Sequence, residues 1–266
     1  MFDNSVSAQW RYRLFKLIEE TPKLDWLILT KRIGNAREML NQAVRANTAG
    51  RENWDNNYFT NVWIGATVVN QEEADRDIPK LLDVPASVRF LSIEPMLGPI
   101  DLAVYHNWLG RSIGGMWCPD CPEDGVGIDP AEHEHCLGVV VDADPYEGID
   151  WVICGGESGP NARPIHPDWA RSLRDQCETA NVPFLFKQWG EWLPRSDCYH
   201  KFADGTTLAD LDPGASKWPS LRLTYEGGNG NQLNGGSCGD DVYMQRVGKK
   251  MAGRLLDGRE HNEFPC

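Results

Sequence analysis

The chain has 266 residues, 41% of them hydrophobic, and a formal net charge of −13. That length supports a substantial core, and that charge argues against non-specific adhesion to nucleic acid or an anionic membrane. The longest apolar runs fall far short of the roughly 20 residues of a membrane-spanning helix, no basic-then-apolar leader opens the chain, and eight cysteines in so long and regular a sequence do not call for a secreted disulfide scaffold. A cytoplasmic protein with reduced thiols is the expectation.

Residues 7–20 carry Trp10, Leu14, Leu17 and Ile18 at helical spacing, and Thr21-Pro22 ends the pattern. Leu24 to Leu29 is apolar enough for a strand, with Thr30-Lys31-Arg32 as its polar tip. Ala36, Met39, Leu40, Ala43 and Val44 predict a helix, and 47–61 is polar and loop-like. Val62 to Val68 predicts the next strand. Asn70 with Glu73 three residues on is a capping-box pattern, and Pro79 should kink or limit the helix that follows. Arg89 to Ile93 predicts a third strand, tipped by Glu94-Pro95. After an irregular insert at 107–147, Trp151 to Cys154 predicts a fourth, stopping at Gly155-Gly156 ahead of Glu157-Ser158. A helix should begin at Pro167, with Asp168 complementing its dipole and His166 as a possible cap. Phe184 to Phe186 then delivers Lys187, Gln188 and Trp189. Beyond Leu193 the chain is irregular until a last helix expected over 241–256, with Gly258 as its carboxyl cap. Strand–helix alternation of this kind implies an α/β protein: a partial (β/α) barrel or an open parallel sheet flanked by helices. Residues 1–192 form the barrel-like domain, and 193–266 an extension whose helix packs on it.

Two groups of residues stand out chemically. Thr30, Lys31, Arg32, Thr67, Glu94, Glu157, Ser158, Lys187 and Gln188 each follow an apolar strand, so a parallel sheet should gather them on the rim where such folds bind ligands. Their mixture of acids and bases suits a zwitterionic or polyhydroxylated small molecule. Trp189 and Trp192 either wall that pocket or belong to the core. The second group lies in the insert. Cys118-Pro-Asp-Cys121 is a metal knuckle, and Cys136 with His133 completes a zinc tetrahedron, His135 being the other candidate for the fourth place. Cys154 and Cys177 read as buried apolar residues, and Gly155-Gly156-Glu157-Ser158-Gly159 matches neither a phosphate loop, a dinucleotide fingerprint nor a hydrolase elbow.

Several runs resemble one family: Leu24-Asp-Trp-Leu-Ile-Leu-Thr-Lys-Arg32, Asn61-Val-Trp-Ile-Gly-Ala-Thr67, Arg89-Phe-Leu-Ser-Ile-Glu-Pro-Met-Leu-Gly-Pro99, Asp150-Trp-Val-Ile-Cys-Gly-Gly-Glu-Ser-Gly159, Phe186-Lys-Gln-Trp-Gly190 and Val247-Gly-Lys-Lys-Met-Ala-Gly-Arg-Leu-Leu-Asp-Gly258. This is the family of phage-associated proteins of unknown function named after gene products 37 and 68, itself distantly similar to radical S-adenosylmethionine enzymes with a partial barrel. The resemblance implies S-adenosylmethionine held by Thr30, Thr67, Gly155, Gly156, Ser158 and Gln188, with Lys31, Glu94, Glu157 and Lys187 as the charged residues of the chemistry. Such proteins open with a three-cysteine cluster-binding segment that does not precede Met1 here, so an iron–sulfur cluster is not expected in this chain alone. The same departure implies an open sheet edge that a protein partner would cover. The competing reading is a non-catalytic, zinc-containing accessory or binding protein.

Overall fold

The computed structural model describes residues 1–56, 59–103, 107–110, 148–198, 206–211, 214, 217–226 and 241–265. Its elements run α1 (Ala8–Glu20), β1 (Trp26–Thr30), α2 (Ala36–Asn47), β2 (Val62–Thr67), α3 (Gln71–Leu82), β3 (Arg89–Ile93), β4 (Trp151–Gly155), α4 (Pro167–Thr179) and β5 (Phe184–Gln188). They continue with β6 (Trp192–Pro194), α5 (Arg195–Cys198), α6 (Leu208–Leu211), β7 (Ser220–Leu223), β8 (Val242–Arg246) and α7 (Lys249–Ala252).

Local chemistry explains the boundaries. The Ser7 side chain accepts from Gln9 N–H at the start of α1, and Asn70 accepts from Glu73 N–H at the start of α3. Glu73 reaches back to Val69 N–H rather than to the cap residue itself, so the capping box closes one residue further out. Pro79 limits α3 without breaking it. It sits in the last turn, where its carbonyl still accepts from Asp83 N–H at 3.1 Å. His166 Nδ1 accepts from Asp168 N–H, capping α4 ahead of Pro167.

β1 to β5 form one parallel sheet in the order β1-β2-β3-β4-β5, each strand beside its predecessor. Because side chains alternate across a sheet, the buried residues sort by parity. Ile28, Val62, Ile64, Ala66, Leu91, Ile93, Val152, Cys154, Phe184 and Phe186 join the main core with Phe15, Leu40, Ile78, Trp169 and Leu173 of the helices. The opposite parity gives Trp63, Phe90 and Trp151, a separate aromatic cluster. All four long helices therefore cover one face. Phe264 covers the aromatic cluster, its ring centroid 5.1 Å from that of Trp63 and 4.9 Å from that of Trp151. It is carried there by a terminal segment that pairs along β5, where Phe186 N–H donates to His261 O and Glu263 N–H to Phe184 O. The other edge, β1, leaves Leu27 and Leu29 exposed at 44% and 47%.

The expected helix over 241–256 is corrected. Its first half is β8, the central strand of an antiparallel sheet ordered β6-β8-β7, and only Lys249–Ala252 is helical. Met244 fits a period of two as well as one of 3.6, and it is buried against Ala162, Trp192 and Leu223. Gly248, at φ +87°, then turns the chain. Leu193 of this small sheet joins the main core, as do Cys198 of α5, Ala252 of α7 and Leu256 beyond it. Among the described residues no helix is long and apolar enough to cross a membrane.

Candidate functional site

The carboxyl ends of β3, β4 and β5 meet at one polar cluster. Glu94 follows β3, and its carboxylate accepts from Lys187 Nζ and from Gln188 Nε2, both at 2.8 Å. β3 and β5 are not neighbours: β4 lies between them, so their backbones are separated by about 9–10 Å, two strand spacings. The side chains meet because the intervening residue is Gly155. A Cβ there would stand 3.2 Å from Glu94 Oε1 and 3.3 Å from its carboxyl carbon. A register shift supplies the other half. Cys154 pairs with Phe186 but Gly155 pairs with Gln188, so the extra residue of β5 lets consecutive side chains, Lys187 and Gln188, turn to the same carboxylate.

The loop after β4 continues the rim. Gly156 N–H donates to Gln188 O, and a Cβ on Gly156 would lie 1.9 Å from the Trp189 carbonyl oxygen. Reciprocally, Gly190 at φ +82° passes the Glu157 carbonyl so closely that a Cβ would lie 2.0 Å from it. Two tip loops are thus locked backbone to backbone. Ser158 Oγ stands 3.5 Å from Gln188 Nε2, at the limit of hydrogen bonding. Glu157 turns from Glu94 to a bidentate pair with Arg163, at 2.9 and 3.0 Å, and accepts Arg163 N–H at 2.8 Å. Those hydrogen bonds hold the Glu157 carboxyl below the usual glutamate range.

Of the residues expected at the rim, Glu94, Gly155, Gly156, Ser158, Lys187 and Gln188 are brought together, and Glu157 flanks them. The other four, Thr30, Lys31, Arg32 and Thr67, lie apart from this contact, Arg32 being paired with Asp3. Thr30 has the parity of the helix-covered face, and its hydroxyl accepts from Arg32 N–H. Thr67 is buried beside Ser92, one layer deeper in the sheet. Lys31 lines a cleft against α3. Trp189 and Trp192 are core residues whose indole N–H groups donate to Leu255 O and Ala162 O. Cys154 is fully buried, and burial raises its thiol, with Cys177 and Glu94 adding to the shift, which keeps it protonated near neutral pH, as a buried apolar residue. Cys118, Cys121, His133 and Cys136 lie outside the described residues. Among the described ones, no group of three or more His, Cys, Asp and Glu could hold a metal. Arg163 is the partner that sequence reasoning missed. Its only signal was a cation shortly after Glu157 across a Gly-Pro turn.

The fold and rim define a singly wound parallel α/β protein with a polar cluster at the strand ends. The chain matches, over residues 1–265, the profile of the family described as "Protein of unknown function (DUF5131)", and it belongs to that family. No curated protein and no solved structure matches it.

Proposed function

We propose that the chain binds a small zwitterionic ligand at the carboxyl ends of β3, β4 and β5, and that this ligand is S-adenosylmethionine in a radical S-adenosylmethionine-like protein. The observation that carries the ligand site is the meeting of Glu94 with Lys187 and Gln188 over Gly155. An anion and a cation held side by side match an amino acid's two charges with opposite polarity. A ligand ammonium would replace Lys187 at Glu94, while the released Lys187 would take the ligand carboxylate. Gln188 and the Gly156 carbonyl add one donor and one acceptor. The bare Gly155 backbone leaves the Glu94 carboxylate room to lie across β4, where a Cβ would stand 3.2 Å from its Oε1. The donor set therefore fits the methionyl portion, and the family resemblance supplies the name. When bound, S-adenosylmethionine brings the activated sulfonium; the chain's own residues contribute grip and orientation.

Thermal-shift and calorimetric titration with S-adenosylmethionine tests the proposal. A rise in melting temperature at millimolar ligand is expected, because binding the native state alone stabilises it by mass action. Glu94→Gln and Lys187→Met should each weaken binding about tenfold or more. No shift in the native chain, or an unchanged shift in both variants, overturns the reading.

A further inference from the structure

A second polar site lies on the helix-covered side, away from the Glu94 contact. The turn after β1 and the outer face of α3 enclose a cleft of about 260 Å³ lined by Lys31, Arg32, Arg76, Asp77 and Lys80, with Ile33 to Asn35 closing one wall. In a chain of net charge −13, four cations line this one cleft, and two of them, Arg76 and Lys80, pair with its one carboxylate. Asp77 is that carboxylate, its side chain only 8% exposed, and it fixes Arg76 Nη2 at 2.6 Å and Lys80 Nζ at 2.9 Å. Burial works to raise Asp77, but hydrogen bonds from Arg76 and Lys80 outweigh it and hold the group below the ordinary aspartate value.

We infer that this cleft binds a phosphate-class oxyanion, with Lys31, Arg32, Arg76 and Lys80 as donors and Asp77 as the positioning residue beneath them. The inference does not depend on the rim ligand. Each cation engaged by Asp77 keeps further N–H groups, since an ammonium has three and a guanidinium five. Arg32 gives Nε to Asp3 at 2.9 Å, leaving its terminal nitrogens. Lys31 makes no ion pair among the described residues and is exposed beside the cleft. Donors on opposing walls outnumber what the two oxygens of a carboxylate accept, and a tetrahedral phosphate offers more oxygens and more charge. Asp3 and Glu73, the latter 3.8 Å from Arg76, draw off part of the positive field. Binding should therefore be modest and sensitive to salt.

Calorimetric titration of the full chain with inorganic phosphate and with pyrophosphate, at low ionic strength, is the test. Saturable binding of both, tighter for pyrophosphate, is expected. Lys31→Glu should weaken it about tenfold or more, whereas Lys249→Glu on α7, with the same charge change, should leave it intact. Lys31 is exposed and makes no ion pair among the described residues, so its variant keeps the fold, which an unchanged melting temperature would confirm. Asp77→Asn separates positioning from bulk charge: loss of order in Arg76 and Lys80 predicts weaker binding, whereas bulk charge alone predicts tighter. Absence of saturable binding, or binding indifferent to Lys31→Glu, overturns the site; tighter binding by Asp77→Asn overturns the role of Asp77.

Discussion

Lys187 Nζ stands 2.8 Å from Glu94 Oε2 across a strand to which neither residue belongs. The Lys187 side chain is 56% exposed and that of Glu94 17%, so water screens the pair and its contribution to stability should stay below about 1 kcal/mol. Lys187→Met should therefore lower the denaturation midpoint little while removing most of the affinity for a zwitterionic ligand. A large loss of stability with unchanged affinity, read by urea denaturation and calorimetry together, would make the pair structural.

Gly156 leaves no room for a side chain. A methyl group there would meet the Trp189 carbonyl oxygen at 1.9 Å, and backbone cannot withdraw as a flexible side chain can. Gly156→Ala should cost about 2 kcal/mol or more, in the range of overpacked sites, and should loosen the tip loops. Reduced protection from hydrogen exchange at Gly156 and Glu191, whose N–H groups bond across the two loops, would record it.

The aromatic cluster makes a paired prediction. Phe90 packs against Gly65, where a Cβ would come within 2.3 Å of the ring. Gly65→Ala should destabilise by about 1–3 kcal/mol. Combined with Phe90→Leu, the cost should fall short of the sum of the two single changes, because the smaller side chain vacates the space the methyl needs. Additive costs in denaturant unfolding would contradict this packing.

Acid should loosen the terminal segment along β5. Burial first, then the nearby Arg259, lowers the pKa of His261 below the ordinary histidine value; Arg174 acts in the same sense, while Glu263 and a hydrogen bond with the Leu256 backbone oppose it. The folded chain thus holds a neutral imidazole, accepting from Arg259 Nε at 3.3 Å, where the unfolded chain would bind a proton. The unfolded state then carries more protons, so stability falls as pH drops below about 6.5 and is complete above it. Amide protection at Phe186 and Glu263 should decline as pH falls below about 6.5, ahead of the rest of the sheet. His261→Gln should remove that early step.

The parallel sheet was legible because each strand is a short apolar run cut off by polar tips, and each helix carries one apolar stripe. Arg89 to Ile93 even keeps its predicted bounds. The antiparallel sheet was not. β6 is three residues long, and around Met244 the apolar spacing satisfies two periods at once, so only packing against Trp192 and Leu223 decides between them. In the site, the sequence placed Glu94, Lys187 and Gln188 at strand ends, but not the register shift that turns consecutive residues to one carboxylate. Nor could it separate Thr30 from Thr67, whose opposite faces follow from pairing register rather than from composition.

Glu94 and Lys187 are 93 residues apart in the chain. Their contact cannot exist before β3, β4 and β5 have all docked, however early the individual helices form. In a refolding experiment, far-ultraviolet ellipticity should thus return ahead of any capacity to capture the rim ligand, which would make that capture a sensitive clock for the final step of sheet assembly.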